Sequence, residues 1–208
     1  MILLRRFDSQ FNYGDHGACI CTIICYRMAK LFLDARNKNN TQTKVLALLT
    51  AEEVHGIMMR SAHFYGGTAF AKTKGLMGMF DILRLIPLDA QKYSSLEFAG
   101  LLLSRCSEVT LLDEGDDNDL MLMSLEDLLK KLQNRTGGPV ALITTFDDHT
   151  IVFLSPEQGT LLMFDPAPAA LYDISGGTTR QHQAIYKKKM QPYSATLISS
   201  SLIVAVSC

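Results

Sequence analysis

A cysteine set between a glycine-punctuated loop and a long apolar run can act as a nucleophile if a histidine and a carboxylate reach it. Cys19, His149 and Asp165 have the types for that chemistry. Cys19 closes the segment Gln10-Phe11-Asn12-Tyr13-Gly14-Asp15-His16-Gly17-Ala18, and apolar sequence follows at once. His149 and Asp165 belong to two apolar, β-branched runs separated by Pro156-Glu157-Gln158-Gly159. They are therefore expected near the outer ends of the two strands of a β-hairpin. With its tip at Glu157 the two residues are symmetric, which predicts direct cross-strand neighbours with β-carbons roughly 5 Å apart. At that spacing the carboxylate can hold an imidazole N–H and fix its tautomer.

The start of a helix favours a thiolate through roughly half a unit of positive charge, and a nearby imidazolium adds to it. Cys21 is the rival nucleophile; it lies about 200° further round the helix and is expected to face the core. Read by itself, Cys19 would be a small buried filler, as free cysteines often are. Gln10 is the candidate oxyanion donor, a contribution worth roughly 3 kcal/mol; Asn12 or the Cys19 backbone N–H could serve instead. Gly14 and Gly17 would let backbone come close to the nucleophile, and His16 could line the cleft, so these three are the candidate substrate-binding residues. His16, His55, His63 and His182 have no metal-ligand spacing with a cysteine or acid, so neither metal nor cofactor is expected. The methionines, Met58, Met59, Met77, Met79, Met121 and Met123 among them, read as core filler.

The elements that must position these residues follow from periodicity. From Cys19 to Ala35 the stripe Ile20, Ile23, Ile24, Met28, Leu31 and Phe32 predicts a central buried helix. Thr50 with Glu53 forms a capping box for a second helix reaching toward His63. Residues 74–88 read as a short helix or strand ending at Pro87. Ser94 or Ser95 could cap a helix over Leu96–Cys106, Val109–Leu112 reads as a strand, and Ser124 caps a helix over Leu125–Asn134. Strands are expected at Val140–Thr145, His149–Leu154, Thr160–Asp165, around Tyr186, and at Thr196–Val206. Helices first and antiparallel sheet second make an α+β fold, one domain over residues 1–208.

Composition narrows the function classes. In 208 residues, 48% are hydrophobic and 20% charged, which describes a folded globule with a large core. Lys and Arg number 20 against 21 Asp and Glu, so nothing favours nucleic acid as a partner. Lys187-Lys188-Lys189 and the acidic run Asp113–Asp119 read as solvated surface. No apolar run is long enough to span a bilayer, so no membrane is expected. The five cysteines have no framework spacing, and the start Met1–Gln10 does not read as a signal peptide. Free thiols in a reducing, cytoplasmic compartment are the expectation.

Two motifs carry a family resemblance. Gln10-Phe11, Tyr13-Gly14 and Gly17-Ala18-Cys19-Ile20-Cys21-Thr22 resemble the N-terminal motif of herpesvirus large-tegument deubiquitinases, where Gln-Phe and Tyr-Gly precede Ala-Gly-x-Gln-Cys and a hydrophobic helix. His149-Thr150-Ile151-Val152-Phe153, Gly159 and Leu162-Met163-Phe164-Asp165-Pro166 resemble their second motif, in which Phe-Asp-Pro-His carries the catalytic acid and histidine. Together they cover about a fifth of the chain. The resemblance implies a papain-like cysteine peptidase that cleaves after the C-terminal glycine of ubiquitin or a ubiquitin-like modifier. It carries the nucleophile to Cys19, the acid to Asp165 and the oxyanion donor to Gln10. Two positions depart from it: the viral histidine falls on Ala167, and the glutamine before the viral cysteine falls on Ala18, with one loop residue missing. Either His149 supplies the base from the neighbouring strand, or the chain is an inactive relative that binds ubiquitin without cleaving it.

Overall fold

The computed structural model describes residues 1–35, 42–86, 96–98, 102–103, 123–134, 139–146, 149–176 and 203–207. Strand β1 (Ile2–Arg6) leads through two single-turn 3₁₀ helices, Gln10–Asn12 and Gly17–Cys19, into helix α1 (Cys21–Asp34). Helices α2 (Gln42–Leu48), α3 (Ala51–Gly66), α4 (Ala69–Thr73) and α5 (Met79–Leu85) follow. Then come β2 (Leu96–Phe98), β3 (Leu102–Leu103), β4 (Met123–Ser124) and α6 (Leu125–Asn134). The chain continues with β5 (Val140–Phe146), β6 (His149–Ser155), β7 (Leu162–Asp165), β8 (Ala170–Asp173) and β9 (Ile203–Ser207).

Among the described residues, seven strands form one sheet in the order β1-β8-β7-β6-β5-β9-β2, and every neighbouring pair is antiparallel. The α+β architecture is therefore as expected, with a helical part set against an antiparallel sheet. β1 is an unexpected addition: the N-terminal strand pairs with β8 at one edge of the sheet.

Helix α1 is the centre of the helical layer. Its buried residues include Cys21, Thr22, Ile23, Ile24, Cys25, Tyr26, Met28, Ala29, Phe32 and Leu33, more than a one-sided stripe would give. The sheet covers one side through Val152, Leu154, Leu162 and Phe164, and α3 and α5 cover the other through Val54, Ile57, Met58 and Ile82. Each such aliphatic side chain contributes about 1.5–3 kcal/mol on burial, so α1 cannot move without exposing the main core. A second apolar cluster occupies the other face of the sheet, where Leu129 and Leu132 of α6 meet Leu142, Ile151, Phe153 and Met163.

Local sequence explains most element ends. Thr50 Oγ1 accepts the Glu53 N–H at 3.1 Å, the expected N-cap of α3. Arg5, on the edge strand, donates to the Leu46 and Leu49 carbonyls at 3.1 and 2.6 Å, satisfying groups at the end of α2. Two expectations need correction. Cys19 belongs to the 3₁₀ turn, and α1 proper opens at Cys21, with Ile24 N–H to Ile20 O (2.9 Å) as the first helical bond. The run from Leu96 is not a helix: Leu96–Phe98 pairs with Val204–Val206 as a sheet edge. A short apolar run lacks the length to choose between helix and strand, and cross-strand pairing decides. The strands expected at Val109–Leu112 and around Tyr186, and the part 196–202 of the strand expected at Thr196–Val206, lie outside the described residues.

Candidate active site

The β6–β7 hairpin brings His149 and Asp165 together. His149 Nε2 stands 3.1 Å from Asp165 Oδ1. Asp165 is 1% exposed and its Oδ1 also accepts the Ala167 N–H at 3.1 Å, while the His149 side chain is 28% exposed. A buried carboxylate with these two partners holds the imidazole at one nitrogen. Nε2 is the ring nitrogen turned toward Asp165.

The register corrects the expected pairing. Val152 faces Phe164, Phe153 faces Met163 and Leu154 faces Leu162, so the hairpin is centred at residue 158, not 157. The loop reaches this register by a turn in which Thr160 N–H meets Glu157 O at 3.1 Å, and Gly159 N–H is tied to Gln133 O of α6 at 2.9 Å. The ladder ends at the Val152–Phe164 pair; Asp165 closes β7, and Ala167 lies in the turn that leads to β8. His149 and Asp165 are thus not a direct cross-strand pair; strand alternation puts both on one face, and their side chains meet beyond the ladder.

Strand alternation then assigns faces. Thr150 points to α1: its hydroxyl lies 2.8 Å from Thr22 Oγ1 and 3.7 Å from Cys21 Sγ, and its carbonyl accepts from Cys25 Sγ at 3.4 Å. His149 and Asp165 therefore start from the opposite face, in line with Phe153 and Met163. His149 is the first residue of β6. Thr150 was missed by sequence reading. Alternation carried the signal, since two successive residues of a strand cannot both face one helix.

The cysteines have different surroundings. Cys19 Sγ donates to the Lys74 carbonyl at 3.4 Å and hydrogen-bonds the Tyr65 hydroxyl, which donates to the Phe70 and Gly75 carbonyls at 3.1 and 2.7 Å. Burial first, and the Cys19 thiol second, push Tyr65 up to about 12. Cys21, two residues on, is on the Thr150 side. Cys25 is fully buried; burial, and then neighbouring Cys21, push its thiol well above the ordinary range, so it is poorly suited to attack.

Gln10 is 3% exposed, and its Oε1 is buried without a hydrogen-bond partner. A half-turn of the amide would offer an N–H from the same place, as an oxyanion donor requires. The Gln10 N–H meets Pro166 O at 3.4 Å and Ser9 Oγ donates to Ala167 O at 2.7 Å, so the Gln10 turn rests on the end of β7 just beyond Asp165. Gly17 is in close approach, though to this turn rather than to a cysteine: a Cβ there would stand 2.5 Å from Gln10 O. Gly14 has φ +80°, which accounts for glycine there. The His16 ring packs on Tyr65 at 5.2 Å, alongside the Cys19 cluster. Asn12 ends the first 3₁₀ turn. Tyr13, also missed, bonds His55 Nδ1 at 2.8 Å and ties this loop to α3; burial, then Asp8, raise its hydroxyl.

Among the described residues, no group of three His, Cys, Asp or Glu side chains is placed to hold a metal, and no helix is long and apolar enough to cross a membrane.

No protein-family profile matches the chain, and no curated protein matches it. Among solved structures, its fold is similar to the ubiquitin-specific protease encoded by a murine cytomegalovirus tegument protein, crystallised with a ubiquitin-based suicide substrate. The TM-score is 0.47 at 12% identity, over 98% of this chain and 83% of that one.

Proposed function

We propose that this protein is a papain-like thiol hydrolase that cleaves after the C-terminal glycine of ubiquitin or a ubiquitin-like modifier. The observation that carries the hydrolase reading is the contact of His149 with buried Asp165, 3.1 Å apart at the sheet end beside the head of α1. Burial and a carboxylate partner hold a histidine ready to take a proton from a thiol and return it to a leaving amine. Asp165 orients His149, a sulfur at the head of α1 attacks, and Gln10 with backbone amides receives the oxyanion. The modifier as substrate rests on the two sequence motifs, which resemble those of tegument deubiquitinases.

The test is a ubiquitin probe bearing a C-terminal electrophile. Wild type is expected to form the covalent adduct and His149→Ala to form none while remaining folded by circular dichroism. Absence of adduct from folded wild type, or full labelling of His149→Ala, overturns the reading.

A second reading has its own observation, the starting face of His149, opposite to the one Thr150 presents to α1. If the ring stays there, the protein is a binding module of papain-like shape. Measurable ubiquitin affinity without turnover or adduct in wild type would distinguish it.

A further inference from the structure

The segment from Ser9 to Cys19 joins the end of the sheet to the helical layer, and it is fixed in three places. At the sheet, Ser9 Oγ donates to Ala167 O at 2.7 Å and the Gln10 N–H meets Pro166 O at 3.4 Å. At the far end the His16 ring packs on Tyr65, and Cys19 Sγ donates to the Lys74 carbonyl at 3.4 Å. Midway, the Tyr13 hydroxyl lies 2.8 Å from His55 Nδ1, with the two ring centres 5.4 Å apart. His55 is a firm anchor, because Val54, Ile57 and Met58 around it in α3 are sealed in the main core. Tyr13 also closes the turn that presents Gln10: its N–H donates to Gln10 O at 3.1 Å. The Gln10 Oε1 has no hydrogen-bond partner, so the place of the amide is set by its packing and by the turn beneath it.

We propose that Tyr13 and His55 form a brace that holds the Gln10 turn in place, and that both are positioning residues for the proposed hydrolase. The part Gln10 plays rests on the proposed function; the brace itself rests on the contacts between the loop and α3. Burial, then Asp8, raise the Tyr13 hydroxyl, so the phenol keeps its proton and can donate to Nδ1 of a neutral imidazole. Without the brace the segment keeps its contacts at the sheet and at Tyr65 but gains freedom between them. Gln10 then spends less time where its amide can meet the oxyanion. An oxyanion donor acts in the transition state, so loosening it slows the chemical step and leaves binding of the modifier as it was. The loss of one neutral hydrogen bond corresponds to roughly three- to tenfold.

The test combines hydrogen exchange over residues 9–19 with the kinetics of labelling by the ubiquitin electrophile. Tyr13→Phe and His55→Ala are each expected to speed exchange in this segment by roughly three- to tenfold. Each should lower the maximal labelling rate by a similar factor, with the half-saturating probe concentration unchanged. The double variant should be no worse than either single one, because both remove the same bond. His55→Asn, whose amide can bond the Tyr13 hydroxyl from near the place of Nδ1, should stay near wild type. Arg60→Ala, which breaks an exposed ion pair with Glu53 on the same helix, should change neither measurement. Unchanged exchange in both single variants, or effects that multiply in the double one, overturn the brace. Faster exchange with a wild-type labelling rate overturns the positioning role. If wild type forms no adduct, the hydrolase reading fails, and exchange alone still decides whether Tyr13 and His55 hold the turn, so the two failures are distinct.

Discussion

Replacing Gly17 by alanine tests whether the Gln10 turn must sit where it does. The added Cβ would stand 2.5 Å from Gln10 O, 3.0 Å from Phe11 Cα and 3.2 Å from the Gln10 carbonyl carbon. The first of these is roughly 1 Å short of an ordinary van der Waals contact. All three atoms are backbone, so no side-chain rotation relieves the overlap and the turn itself must shift. Overpacking of this kind costs about 1–3 kcal/mol, which lowers Tm by about 2–4 °C for each kcal/mol in a chain of this size. With Gln10 as the proposed oxyanion donor, displacing it by roughly 1 Å would cost on the order of 100-fold in rate. Gly159→Ala is the matched control: its φ of +79° imposes backbone strain, but no atom lies within 4 Å of the added Cβ, and it sits at the far tip of the hairpin. Both variants should lose stability, and only Gly17→Ala should label slowly with the ubiquitin electrophile at a temperature where both are folded. Equal labelling rates in the two variants would refute the placement of Gln10 at the reacting carbonyl.

Asp165→Asn keeps the shape of the side chain but removes the charge facing His149; adduct formation should fall by on the order of 10³–10⁴, read by stopped-time labelling, with folding retained. Tyr65 should titrate at about 12, followed by tyrosinate absorbance, and Tyr65→Phe should remove that late step. Because the folded form holds this proton and the unfolded tyrosine releases it near pH 10, the Tyr65 contribution to stability is whole below pH 10 and is lost as pH rises toward 12.

The sequence made the core elements legible where local chemistry and tertiary context agree. Thr50 caps α3, the run over Leu125–Asn134 is a helix, and β5, β6 and β7 lie within one or two residues of their expected limits. It failed where context decides. Leu96–Phe98 is a strand because Val204–Val206 offers it a partner 100 residues away. The hairpin centre moved by one residue because the loop holds Gly159 against α6, which no count of hairpin residues could foresee. His149 and Asp165 still share a face, since the expected and the observed register keep the same parity. The head of α1 was misread by two residues: a 3₁₀ turn with its own bond, Cys19 N–H to His16 O at 2.9 Å, ends before the helix begins. That offset is what separates the two sulfurs.

Strand ends explain why chemistry gathers where it does. In the middle of β6 a side chain belongs to one face, and neighbours such as Val152 and Phe153 are sealed in separate apolar clusters. His149 opens β6, and its ring meets Asp165 at 3.1 Å. Asp165 ends β7 in the same way and reaches beyond its ladder to the Ala167 N–H. The Gln10 turn leans on the two residues after Asp165, and the head of α1 lies over Thr150. Four chain segments distant in sequence thus present polar side chains at one edge, while the buried helix behind them holds that edge fixed.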